Sequence, residues 1–407
     1  MKFDNDLSVT RKEALNLLKE NWTFSPDEEI VPVSDCIGRV LSKDLYSKNT
    51  LPLVRSSCFD GIAVRSSDFA NGMPDTSKWV RGVDYVRADT GDDFPDAFDA
   101  VIAIEQVELE GDSIRFIDGF EFDPAKKNVN PSGMLVKEGA LLAPAHTKIT
   151  PVIMVSLIMG GITWVPVIKK IKVVFIPTGS ELVQPGDVPQ RGQNIDTNGI
   201  MIKKMLEQRG AEVTCHPIVR DNKSDLEAAL DESLAWADMV LINGGSSRGE
   251  EDYNSLLLQK KGSFFRHGVK AAPGRPVGMA IINGKVALNV PGPIIATRLA
   301  EHWLVSSLVQ HWFGLPDHIY PTVSAKLTAP IKSRHGMEFL AGIELARTSQ
   351  GYTATPILRG AKGGVPDQIL RTHGLLNIPL ECDELEEGTM VEVELLNEIE
   401  TIPYTEA

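Results

Sequence analysis

The sequence predicts a multidomain α/β plus β protein. A central, mostly parallel, three-layer α/β domain follows an inserted β-rich domain and precedes a small C-terminal β domain. Three observations predict this. Between about 171 and 318, short apolar runs alternate with helix-like stretches, and Gly-rich loops follow the runs, the pattern of a doubly wound sheet. From Lys78 to Val136, short strands and polar turns succeed one another without helical periodicity. From about Tyr320 to Ala407 the short-strand pattern returns, with Met390–Leu395 among its strands. At 407 residues the chain exceeds what one core supports.

In chain order, Ser8 or Thr10 can cap an amphipathic helix with Ala14, Leu15, Leu17 and Leu18 on its apolar side. Ile30–Val33 reads as a short strand, and Asp60-Gly61 as a turn before the strand-like Ile62-Ala63-Val64. Ile149 to Ile168 is apolar enough to suggest a membrane span. Thr150 and Pro151 instead start a helix that Gly160-Gly161 ends near Met159, and Ile162 to Val167 reads as a strand; each half is too short to cross a bilayer. Val173-Val174-Phe175-Ile176 is a buried strand that stops at Pro177-Thr178-Gly179-Ser180-Glu181. Asp196-Thr197-Asn198 offers caps to a helix from about Gly199 to Arg209, closed by Gly210. Ala211–Thr214 is a strand, and Ser224-Asp225-Leu226-Glu227 has capping-box spacing. Met239–Ile242 runs into Asn243-Gly244-Gly245-Ser246-Ser247-Arg248-Gly249, and Val286–Val290 into Pro291-Gly292-Pro293, before a helix from about Ile295 to Trp312.

Bulk properties exclude several classes. A formal charge of −14 argues against a general nucleic-acid binder, which needs basic surface. Cys36, Cys58, Cys215 and Cys382 are far apart with no Cys-x-x-Cys, neither a zinc site nor a disulfide framework, and this fits a cytoplasmic protein. The first ten residues, MKFDNDLSVT, have no apolar core and are not expected to be a signal peptide.

The three glycine loops after strands carry the candidate chemistry: Thr178 to Glu181, Gly244 to Gly249 and Pro291 to Pro293. If the strands are parallel, all three lie on one edge, where open α/β sheets bind ligands. Their backbone N–H groups and hydroxyls suit phosphate or another oxyanion. Glu181, Asp221 and Asp252 would stand near, and carboxylates beside phosphates call for a divalent ion, Mg²⁺ being usual. The Gly244 loop is neither a dinucleotide fingerprint nor a P-loop. The histidines show no metal-ligand spacing.

These residues together resemble a known family. Phe59-Asp60-Gly61-Ile62-Ala63-Val64, Thr90-Gly91, Asp99-Ala100-Val101-Ile102, Pro177-Thr178-Gly179-Ser180-Glu181-Leu182, Asp196-Thr197-Asn198, Arg220-Asp221, the Gly244–Gly249 loop with Asp252-Tyr253, Pro273-Gly274-Arg275-Pro276 and Pro291-Gly292 occur in one order over nearly the whole chain. The sequence is similar to the molybdopterin molybdenumtransferase family, which inserts molybdenum into molybdopterin and whose eukaryotic relatives include gephyrin. The resemblance implies a discontinuous linker domain (1–50 and 138–170), an inserted β-rich domain (51–137), an α/β pterin-binding domain (171–318) and a C-terminal β barrel-like domain (319–407). It implies adenylylated molybdopterin and molybdate as substrates, Mg²⁺ as cofactor, release of AMP, and a homodimer without nucleic-acid or membrane partners.

Glu181, Asp221, Asp252 and Asp60 map onto acidic positions of the family's site, with Glu181 and Asp221 as metal ligands. Thr178, Gly179, Ser180, Asp196, Asn198, Gly244, Gly245, Ser246, Ser247, Gly249, Pro273, Gly274, Arg275, Pro291 and Gly292 map onto ligand-binding positions. The sequence departs from the pattern at several places. The family's Gly-Glu-Asp is Gly133-Met134-Leu135, its Lys-Pro-Gly-Lys-Pro is Ala272-Pro273-Gly274-Arg275-Pro276, and its Pro-Gly-Asn-Pro is Pro291-Gly292-Pro293-Ile294. A following serine is Ala296, and an arginine and a serine expected in the last domain fall around Met337 and Gly364. These positions would hold molybdate, so the alternative expectation is a paralogue that binds the pterin or a nucleotide as carrier or scaffold without inserting metal.

Overall fold

The computed structural model describes residues 9–111, 113–244, 253–333, 335–357, 364–396 and 401–404. The chain divides into two units, Met1–Asp27 with Lys169–Ala407, and Glu28–Ile168.

In the smaller unit, Gly61–Val64 is the middle strand of an antiparallel three-stranded sheet, between Tyr85–Ala88 and Ala100–Ala103. Ile62, Val64, Tyr85 and Ile102 share its core. Gly61, expected in a turn, already belongs to the strand. A Cβ there would lie 2.0 Å from the Ile102 carbonyl oxygen, so only glycine lets the strands pair this closely. Helix α2 (Pro151–Met159) starts as expected, with Thr150 Oγ1 accepting from Ile153 N at 3.3 Å. The strand Trp164–Ile168 follows it and pairs with Glu28–Pro32. Among the described residues no helix is long and apolar enough to cross a membrane.

The larger unit is built on a six-stranded sheet. Its strands are β1 (Lys172–Pro177), β2 (Glu212–Cys215), β3 (Met239–Asn243), β4 (Phe264–His267), β5 (Gly278–Ile282) and β6 (Lys285–Val290), in the spatial order β2-β1-β3-β6-β5-β4. The four strands β2, β1, β3 and β6 are mutually parallel, and β5 and β4 complete the sheet antiparallel. Helices α4 (Lys223–Trp236) and α5 (Tyr253–Lys261) cover one face, where Leu226, Leu230, Leu234, Leu257 and Leu258 bury Val174, Ile176, Val240 and Ile242. Helices α3 (Asn198–Gln208) and α6 (Ile294–Ala300) cover the other, giving three layers. Burial on both faces explains why the central strands β1 and β3 read as continuous apolar runs.

Two details differ from the sequence reading. The N-cap of α4 is Asn222, whose Oδ1 accepts from Ser224 N at 2.9 Å and Asp225 N at 3.3 Å, so the Ser224–Glu227 capping box is not formed. Helix α1 (Arg11–Asn21), capped reciprocally by Thr10 and Glu13, belongs to the larger unit rather than with 28–50; it packs on β5 and on the helix Ser306–Trp312.

After α6, a π-helical turn (Glu301–Val305) leads into the helix Ser306–Trp312. Glu301 is fully buried there, with Arg209 Nε 2.9 Å from its Oε1. The remaining strands close a barrel: Glu338–Thr348 pairs with Gly351–Pro356, that with Thr322–Leu327, then Met390–Leu395, then Gly374–Ile378, which returns to Glu338–Thr348. A short helix, Gly364–Arg371, was not legible in the sequence.

Candidate functional site

Strands β1, β3 and β6 are adjacent and parallel, and their ends are level: Pro177 is opposite Asn243, and Asn243 opposite Val290. The loops that follow therefore emerge on one edge, as expected. They enclose a cavity of about 540 Å³ whose wall includes Thr178, Gly179, Glu181, Asp196, Asn198, Asp221, Gly244 and Gly292.

Each loop is held by its neighbours. Thr178 donates to the Asn243 carbonyl from both N (2.9 Å) and Oγ1 (3.0 Å). Gly244, at φ +118°, passes so close that a Cβ would come within 2.7 Å of Thr178 O and Oγ1. Ser180 and Asp221 clasp each other: Ser180 N donates to Asp221 Oδ2 at 2.9 Å, and Asp221 N to Ser180 Oγ at 3.1 Å. Glu181 folds back over Gly179, whose φ is +148° and whose Cβ, if present, would meet the Glu181 carboxylate oxygens at 2.7 and 2.8 Å.

A buried amide pair underlies the cavity. Asn243 Nδ2 donates to Pro291 O at 2.7 Å, while Asn198 Nδ2 donates to Asn243 Oδ1 at 2.9 Å and to Gly292 O at 2.7 Å. Asn254 Nδ2 donates to Gly244 O at 2.8 Å, and Thr297 Oγ1 to Pro291 O. Leaving such a buried group without its partner costs about 1–3 kcal/mol. Asn243 had no assigned role in the sequence; its only signal was a polar residue ending a fully apolar strand.

The site differs from expectation in its donors. The N–H groups of Gly179, Ser180 and Gly244 are not free; they bond Val219 O, Asp221 Oδ2 and Val290 O. The wall carries Glu181, Asp196 and Asp221 and, among the described lining residues, no lysine or arginine. No group of three or more His, Cys, Asp or Glu among the described residues could hold a metal ion. Glu181 and Asp221 both stand in this wall, and carboxylates are the donor type that Mg²⁺ takes alongside waters and ligand phosphate oxygens.

Of the other expected site residues, Ser180 and Pro291 support the wall from behind. Pro273, Gly274 and Arg275 do not line the cavity; they follow Ala271–Ala272, which pairs with Glu338–Phe339. Asp60 lies in the smaller unit, where the Thr90 N–H (2.7 Å) and hydroxyl (2.8 Å) hold its carboxyl below the usual range. Gly245, Ser246, Ser247, Gly249 and Asp252 lie outside the described residues.

An acidic cavity at the carboxyl edge of a parallel α/β sheet, floored by glycine turns, defines a ligand-binding α/β protein of the doubly wound class. Residues 9–161 match the family described as "MoeA N-terminal region (domain I and II)", and residues 174–311 the family described as "Probable molybdopterin binding domain". The chain is 30% identical over 315 residues to the molybdopterin molybdenumtransferase of Haemophilus influenzae, covering 74% of this chain and 77% of that protein. It is 27% identical over 393 residues to molybdopterin molybdenumtransferase 2 of Mycobacterium tuberculosis, covering 89% and 94%. The crystal structure of a molybdopterin biosynthesis MoeA protein from Pyrococcus horikoshii superposes with a TM-score of 0.80 at 26% identity, covering 96% of this chain and 100% of that one. The chain belongs to the molybdopterin molybdenumtransferase family.

Proposed function

We propose that this protein acts in molybdenum cofactor biosynthesis by inserting molybdate into adenylylated molybdopterin with release of AMP. The observation that carries this reading is the convergence of three strand-end loops on one cavity with Glu181 and Asp221 in its wall. An anionic ligand entering a wall with three carboxylates and no described cation needs a positive counter-charge. Glu181 and Asp221 would hold Mg²⁺, and the family resemblance assigns Asp252 and Asp60 as further catalytic acids. Bound there, the ion would neutralise charge at the phosphoanhydride. Ser180, through its clasp on Asp221, sets the direction of that carboxylate.

The rest of the proposal concerns organisation. Linker segments 1–50 and 138–170, an inserted domain 51–137, a pterin-binding domain 171–318 and a barrel 319–407 make up the chain. The protein is cytoplasmic, consistent with four free cysteines, and forms a homodimer. Supporting the dimer, α2 turns Val152, Val155 and Ile158 to solvent at three-residue spacing, and they are 79%, 51% and 51% exposed.

The test is AMP release from adenylylated molybdopterin with molybdate, with and without Mg²⁺. Wild type is expected to turn over only with Mg²⁺, and Glu181→Ala to lose about 100-fold or more. Equal release by Glu181→Ala would discard the assignment. Tight binding of the substrate with no release would instead favour the carrier reading.

A further inference from the structure

Helices α3 and α6 both begin at the main cavity. Asn198 opens α3, Gly292 and Pro293 lead into α6 at Ile294, and all four line the wall. At this end the helices are tied by Asn198 Nδ2, which donates to Gly292 O at 2.7 Å. A second tie joins their far ends. Arg209, which closes α3, donates from Nε to Oε1 of Glu301, which closes α6, at 2.9 Å. At the usual helical rise Arg209 stands about 16 Å along the helix from Asn198. Its Nη2 donates to Tyr320 Oη at 3.0 Å, and that hydroxyl donates to His302 O at 3.2 Å. Glu301 is 0% exposed, and its Oε2 has no hydrogen-bond partner among the described residues. Burial pushes its carboxyl up against the pull of Arg209. Arg298, one turn earlier on the same helix, does not hydrogen-bond to Oε2.

We propose that Arg209 and Glu301 form a positioning clamp for the main cavity. Pinned at both ends, α3 and α6 can neither slide nor splay, so the Asn198 and Gly292 walls keep one separation. Tyr320 belongs to the clamp as the residue that orients the guanidinium. Neither Arg209 nor Glu301 lines the cavity, so both act through the helices and not by touching a ligand. A buried ion pair with an unsatisfied oxygen is a poor source of stability. Desolvation offsets its attraction, and apolar residues of similar volume hold a core as well or better. What the pair adds is direction, since hydrogen-bonded charges fix one spacing and one register of the two helix ends. Glu301 also opens the π-helical turn, a break in helical register of the kind that recurs at functional sites. The consequence of the clamp for turnover rests on the molybdenumtransferase reading above.

The experiment uses the full chain and the double variant Arg209→Met/Glu301→Leu, which removes both charges together and leaves neither buried alone. Hydrogen exchange is read at the Asn198 and Gly199 amides, which Asp196 Oδ1 accepts from at 3.1 and 3.2 Å, with the amides of β3 as reference. AMP release gives kcat and KM. The melting temperature is expected to stay level or rise. Exchange at Asn198 and Gly199 is expected to quicken roughly tenfold while β3 is unchanged. The same variant is expected to lose about tenfold or more in kcat with KM held within about threefold. Tyr320→Phe, which removes one oxygen only, shifts exchange and kcat in the same direction by about threefold. Unaltered exchange at Asn198 and Gly199 in the double variant makes the pair a core salt bridge and overturns the proposal, as does a kcat held at the wild-type value. Should the double variant not fold, Tyr320→Phe decides by the same two readings. Absence of AMP release by wild type removes the reaction, and the clamp then stands or falls on exchange alone.

Discussion

Gly179 and Glu181 act as one unit, because the carboxylate occupies the space a Cβ at Gly179 would need. Gly179→Ala is expected to displace Glu181 and lower AMP release by about 100-fold, close to the effect of Glu181→Ala, with the fold intact by circular dichroism. Asp99 governs a different property. Partial burial pushes its carboxyl up, but the Lys127 ammonium and the Ser66 N–H (2.7 Å) and hydroxyl (2.8 Å) outweigh this and hold it at about 2. A carboxyl depressed in the folded state stabilises it fully above the unfolded value of about 3.9, and that contribution fades as pH falls toward about 2. Asp99→Asn is therefore expected to lower the melting temperature at pH 7, with the gap to wild type closing between about pH 4 and pH 2. Glu181 and Asp221, which line the cavity, drew notice in the sequence because they sit next to glycine turns or strand ends. Asn243 was not, since a buried asparagine shows its role only when its partners, Pro291 and Asn198, come from distant parts of the chain.

At the level of elements, the central strands β1 and β3 were readable because burial on both faces leaves an uninterrupted apolar signature, as in Val173–Ile176 and Met239–Ile242. Helix α2 was readable because Thr150, Pro151 and Gly160 mark its ends. The start of α4 was misjudged because two capping patterns overlap there, and spacing alone does not decide between Asn222 and Ser224. The structure separates them experimentally: Asn222→Ala is expected to cost about 1 kcal/mol in urea unfolding, and Ser224→Ala only a few tenths. The position of α1 was illegible for a different reason. Its apolar face specifies burial, and only the three-dimensional fold supplies β5 as the surface that covers it.

At the level of the whole molecule, the cavity exists because three strands with intervening helices lie side by side in the order β1-β3-β6, which brings their ends level. The exposed face of α2 provides the corresponding test of assembly. Val155→Glu is expected to convert the proposed dimer to monomer in light scattering while leaving the melting temperature of each chain nearly unchanged, because Val155 is already 51% exposed within one chain. An unchanged molar mass would place the contact elsewhere. The amide pair of Asn198 and Asn243 sets a limit on how this architecture can be altered. One asparagine opens α3 and the other stands at the tip of β3, yet both terminate on the Pro291-Gly292 carbonyls. Chimaeras that graft any single loop from a relative will inherit mismatched amides, so the three segments have to be transplanted together as one cassette.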